Sequence, residues 1–211
     1  TLMCRKDWDR INFDKVPSRA MKNLKKAFEK HCSYRLYEWR DKLSSRDAKV
    51  NAKQVLPHEL ICEIAGKGTT DPICQAQWLS LEEQASKSGV FTCILTVVDT
   101  SVSMKEWDNH NKDKYSFTPM DVAIGIGILS ASSSNAFPKS VVTFSNNPTF
   151  VKLEDEDVHE RYLTLRNSSW AGKMNFQATF SLILEQAKKK SLTKDDIPKK
   201  MLIISDMDFD E

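Results

Sequence analysis

Asp99, Ser101 and Ser103 occupy alternate positions in Asp99-Thr100-Ser101-Val102-Ser103, directly after the apolar run Cys93-Ile94-Leu95-Thr96-Val97-Val98. One carboxylate and two hydroxyls offer only oxygen, which suits a hard divalent cation such as Mg²⁺ or Mn²⁺. A second apolar run near the end, Ile203-Ile204-Ser205-Asp206-Met207-Asp208, also leads into acids. Open α/β sheets bind ligands at the C-terminal edge of their strands. If both runs are parallel strands, their tips face one edge, and Asp99, Ser101, Ser103 and Asp206 can converge there.

The surrounding pattern predicts the elements this requires. From Gly89 onward, strands are expected over 91–98, 141–144, 148–153 and 201–205, with helices over 120–131, 155–165 and 175–190. Thr118-Pro119 opens the first of these helices. Phe176, Phe180, Ile183, Leu184 and Ala187 fall on one face of the last. The alternation implies an α/β fold, a doubly wound and mostly parallel sheet with helices on both faces. Such a sheet ordinarily continues past this point, so the domain at 89–211 is expected to be incomplete at its C-terminus.

Residues 1–88 read as an α-helical segment. Ser18 is placed to cap a helix from Arg19 to about Lys42, with Met21, Leu24, Phe28, Leu36 and Trp39 in one stripe, Tyr34 and Tyr37 beside it, and a break near His31-Cys32-Ser33. Pro57 begins a further helix that Gly66 and Gly68 end, and Asp71-Pro72 begins another. These are helical hairpins rather than a self-sufficient domain.

In this order of elements, Asp-x-Ser-x-Ser after the first strand and Asp206 after a later one resemble a von Willebrand factor A domain with its metal-ion-dependent adhesion site. Phe13-Asp14-Lys15-Val16-Pro17-Ser18-Arg19-Ala20-Met21, Pro57-His58-Glu59, Ser145-Asn146-Asn147-Pro148 and Ser205-Asp206-Met207-Asp208-Phe209-Asp210 resemble a plant and giant-virus family of uncharacterised proteins. That family is related to the Ro RNA-binding autoantigen, in which helical repeats precede an A domain. The resemblance implies that Ser101 and Ser103 bind the ion directly, and that Asp99 and Asp206 do so directly or through water. An acidic group of a protein partner would fill the open coordination place. Two positions depart from the pattern. The loop Trp170–Asn175 carries Met174 where the family supplies a threonine, and a thioether is a poor Mg²⁺ ligand. Thr179, further into the helix, does not align with that ligand but is a further candidate. Val102, between the serines, is bulkier than the usual small residue.

The resemblance and composition favour a non-enzymatic binding module over two rivals. One rival is a haloacid-dehalogenase-like phosphatase with Asp99 as nucleophile and Mg²⁺ held by Asp206 and Asp210. Ser101 stands where that chemistry needs a second carboxylate to move a proton. The other is a metal-free interaction scaffold. Residues 1–60 carry 15 Lys/Arg against 8 Asp/Glu, while the whole chain is only +2, so the basic surplus is concentrated in the helical segment. Structured RNA is the partner that the Ro resemblance implies for it. The 5 cysteines form no CxxC pair, which disfavours a zinc site or disulfide framework and points to a reducing, intracellular compartment, the cytoplasm or the nucleus. Cys93 reads as a core residue. No apolar run approaches the roughly 20 residues of a membrane helix. The chain opens on Thr1 rather than Met, so the lack of a leader pattern decides nothing. The run Asp108–Asp113 lacks the glycine and closing glutamate of a calcium hand and reads as an exposed insertion.

Overall fold

The structure is a computed structural model that describes residues 2–99, 101–105, 117–135, 137–168 and 175–206. The first helix, α1 (Ser18–His31), stops at Cys32, whose φ of −147° and ψ of 41° leave the helical region, and the chain re-enters α2 (Ser33–Ser44). Phe28 from α1 and Leu36, Trp39 and Leu43 from α2 pack with Phe13 in one apolar cluster. The Trp39 indole N–H donates to Asp14 at 2.8 Å, and Arg35 donates to the carbonyls of Trp8 and Ile11. One expectation is corrected. Ser18 does not cap α1: Pro17 holds that position, and Ser18 is the first helical residue, its hydroxyl buried and without a hydrogen-bond partner among the described residues. Tyr34 and Tyr37, beside the stripe, are each 73% exposed.

The next two helices begin where their sequences predict, and α3 runs on through Gly66, which does not end it. α3 (Pro57–Lys67) begins with Glu59 accepting the Leu56 N–H at 3.0 Å, and Gly68 ends it at a φ of 67° that favours glycine. In α4 (Pro72–Ser88), Asp71 caps by accepting the Ile73 N–H at 2.9 Å. Asp71 also receives Lys25 at 2.6 Å and Arg40 at 3.0 Å, which ties α4 to α1 and α2. Burial pushes its pKa up. The hydrogen bonds from Lys25 and the Ile73 N–H, with the charges of Lys25 and Arg40, outweigh that and hold it below the usual carboxylate value.

The sheet has four strands, β1 (Ile94–Asp99), β2 (Ser140–Phe144), β3 (Phe150–Lys152) and β4 (Lys200–Ile204), in the order β3-β2-β1-β4. β1 runs parallel to both neighbours, while β3 is an antiparallel edge. The central strand therefore ends at the same edge as β2 and β4, with Asp99 opposite Phe144. β1 starts three residues later than expected. Cys93 lies in the preceding turn and is exposed, its carbonyl accepting the Lys199 and Lys200 N–H groups, so it is not a core residue.

Helices cover both faces. On one lies α5 (Pro119–Ser133), opened by reciprocal hydrogen bonds between Thr118 and Asp121. It packs with α6 (Val158–Arg166), α3 and α4 over Val98 and Val141. A Cβ on Gly127 would lie 2.8 Å from Val98 Cγ2, and one on Gly125 3.2 Å from the backbone of Pro57 and His58. The small residues of Gly125-Ile126-Gly127 thus serve close packing against both the sheet and α3. On the other face α7 (Phe176–Lys189) meets Leu95, Val97, Val142 and Phe144. It buries Thr179, Ile183 and Ala187, whereas Phe180 and Leu184, expected on the same buried face, stay half exposed.

Leu60, Ile61, Ile64, Cys74 and Trp78 of α3 and α4 share one core with Val98, Ile124 and Ile128. A buried polar cluster reinforces the junction. Arg161 of α6 pairs with Glu82 of α4, which also accepts the Trp78 indole N–H at 2.9 Å and the Ser132 hydroxyl at 2.6 Å.

Candidate metal centre

β1 delivers Asp99 to the sheet edge, where it is fully buried. Its Oδ1 accepts the Ser101 N–H at 2.8 Å, a local turn that a short acid two residues upstream readily forms. Its Oδ2 accepts the Ser205 hydroxyl at 2.7 Å. The Ser101 and Ser103 hydroxyls lie 2.8 Å apart. Ser103 opens a short 3-10 turn to Lys105 that is pinned by Met104, 2% exposed. Val102 points away, 68% exposed, so its bulk does not press on the serines. Asp206 follows Ser205 at the same edge and is exposed.

The Thr179 hydroxyl is buried and donates to the Asn175 carbonyl at 2.9 Å within the start of α7, whose N-cap is Asn175. Met174 lies outside the described residues, as do Asp208, Asp210 and the Asp108–Asp113 run. Ser205 was not singled out from sequence. Its signal is the register: Val98 pairs with Ile204, so the next step sets Ser205 beside Asp99.

Asp99 meets two uncharged donors and makes no ion pair among the described residues. A buried carboxylate without a counter-charge is costly unless a cation compensates it. With two hydroxyls beside it, this donor set fits a hard cation. No three His, Cys, Asp or Glu side chains gather among the described residues, so hydroxyls would make up part of any ligand set here.

A hollow of about 620 Å³ opens beside the turn carrying Ser103, lined by Lys105, Thr118, Asp121, Tyr162 and Arg166 among others. The thiols of α3 and α4, Cys62 half-buried and Cys74 buried, are quiet. Cys62 is pushed up to about 12 by burial and then by the Asp121 carboxylate, and Cys74 to about 12 by burial foremost. Both stay protonated at neutral pH and are poor nucleophiles.

Residues 92–211 match the family described as "Domain of unknown function (DUF7788)". The chain belongs to this family. Residues 1–91 match a second description, "Domain of unknown function (DUF2828)", so the two matches meet between α4 and β1. The chain is also similar to "Uncharacterized protein L728" of Acanthamoeba polyphaga mimivirus, 30% identical over 226 residues. That match covers 100% of this DUF7788 chain and 37% of the viral protein. No solved structure matches the chain. No helix among the described residues is long and apolar enough to cross a membrane.

Proposed function

We propose that the α/β part is a von Willebrand factor A-like module that binds an acidic group of a protein partner through Mg²⁺ or Mn²⁺, without catalysis. The observation that carries this reading is the buried Asp99 carboxylate, uncompensated by any described cation, beside the paired Ser101 and Ser103 hydroxyls. The strand order, with a central β1 and an antiparallel edge β3, is compatible with such a fold. Ser101 and Ser103 would hold the ion, and Asp99 and Asp206 would balance its charge. With so few protein charges on it, the ion keeps affinity for an incoming carboxylate. Titration calorimetry with MgCl₂ and MnCl₂ tests the reading. Heat is expected in the parent and not in Asp99→Ala, and a parent that binds neither ion refutes it.

A second reading concerns the helical segment. Arg19, Lys22, Lys26 and Lys30 recur at helical spacing along one side of α1, and all are exposed. A stripe of this kind suits an RNA phosphate backbone, and the affinity would then fall steeply with salt. Filter binding of an RNA hairpin at rising KCl, repeated with Lys22, Lys26 and Lys30 changed to Glu, tests it. Salt-insensitive or unchanged binding removes the RNA role.

A further inference from the structure

We propose that Ser145 is a further oxygen donor of this cation site, supplying the hydroxyl that Met174 cannot. The inference rests on the metal-binding reading above. Ser145 follows Phe144, the residue paired with Asp99, and so stands one step beyond the end of β2 at the edge that carries the candidate ligands. Adjacent strands lie about 4.8 Å apart, with a rise of about 3.3 Å per residue, which sets its Cα roughly 6 Å from that of Asp99.

The side on which it stands follows from the alternation of the strand. Along β2, Val141 belongs to the core beneath α5, and Val142 and Phe144 to the core beneath α7. Continued alternation returns residue 145 to the α5 side. Met104, from the turn that carries Ser103, packs in that same α5-side core. Leu95 and Val97 of β1 belong to the core beneath α7, so alternation sets Asp99 on that side and residue 145 on the other, and an ion held by both would sit above the strand ends, between the two faces.

Ser145 is only 3% exposed, and its hydroxyl has no hydrogen-bond partner among the described residues. The other hydroxyls of β2 are satisfied: Ser140 donates to the Pro138 carbonyl, and Thr143 accepts the Thr149 N–H. Buried polar groups ordinarily find partners, and one unpaired among the described residues, at the same sheet edge as a buried carboxylate with no described counter-charge, is what an oxygen-lined cation site requires. Ser18 and Ser133 also carry buried hydroxyls without a partner among the described residues, but they lie at the start of α1 and the end of α5, not at the end of a strand. Place as well as burial sets Ser145 apart.

The test is a MgCl₂ titration of the full chain, read by calorimetry and by thermal unfolding, for the parent, Ser145→Ala, Ser145→Cys and Asp99→Ala. If the hydroxyl serves the ion, Ser145→Ala melts at or above the parent's temperature without metal, because an unpaired polar group has been removed. Its Mg²⁺ affinity nevertheless falls about tenfold or more. Ser145→Cys keeps the volume but presents a soft thiol, and weakens Mg²⁺ similarly. Parent-like Mg²⁺ affinity in both Ser145 variants, with binding abolished in Asp99→Ala, overturns this inference and leaves the site standing. A parent that binds no Mg²⁺ overturns both.

Discussion

The Ser205 hydroxyl donates to Asp99 Oδ2 at 2.7 Å, linking residues 106 positions apart. The bond crosses from the end of β4 to the end of β1 and fixes the orientation of a fully buried carboxylate. Replacing Ser205 with alanine leaves Asp99 with the Ser101 N–H as its one remaining hydrogen bond among the described residues. Urea denaturation at neutral pH is expected to show a loss of about 1–3 kcal/mol. A variant as stable as the parent would mean that the bond is not formed in solution.

Asp71 gives the fold a dependence on acid. Its folded-state pKa lies below the ordinary 3.8, so the stabilisation it brings is fully present above pH 3.8 and is lost as pH falls through the lower folded-state value. Asp71→Asn retains an oxygen for the Ile73 N–H but loses the attraction to Lys25 and Arg40, while Asp71→Ala loses the cap as well. The alanine variant is expected to be about 2 kcal/mol less stable at pH 7, with asparagine between it and the parent. Melting curves from pH 7 down to pH 2.5 check the sign: the gap between parent and Asp71→Asn should close on acidification.

Glu82 is expected to be the most sensitive position at the junction of α4, α5 and α6. Removing its carboxylate strands Arg161, whose side chain is 6% exposed, leaves the Trp78 indole N–H without its acceptor, and reduces the Ser132 hydroxyl to its bond with the Ile128 carbonyl. Glu82→Ala should lower stability by about 3–5 kcal/mol. Glu83→Ala is the control, since Glu83 meets Lys87 in an exposed i,i+4 pair and should change stability by less than about 0.5 kcal/mol. Equal losses in the two variants would show that the cluster contributes nothing special.

The local grammar was legible before any coordinate. Asp71 before Pro72, Thr118 before Pro119, and Gly68 after Lys67 act within one turn of the chain, so they mark helix ends from sequence alone. The break at Cys32 was legible for the same reason. Relationships fixed by the sheet were not. Periodicity groups Phe176, Phe180 and Leu184 with Ile183, but only the placement of α7 over β1 and β2 decides that Ile183 turns inward and Leu184 outward. Cys93 looked like the start of an apolar strand because hydropathy cannot see where pairing begins. At the candidate site Asp99, Ser101 and Ser103 were found through their spacing. Ser205 and Ser145 matter only through strands that pair across long stretches of chain.

The two halves of the chain match separate families, and each has an apolar cluster of its own, yet a third core is built by both. Trp78 and Ile61 on one side and Ile124 and Val98 on the other are complementary surfaces of a single packed interior. A lineage could not exchange one half for an unrelated partner without exposing apolar surface on the half it kept. A close approach between them lies where Gly125 admits the Pro57–His58 backbone: a methyl added there would meet that backbone at 3.2 Å and the neighbours would have to give by a few tenths of an ångström, so what is tolerated at residue 125 depends on how the start of α3 is held.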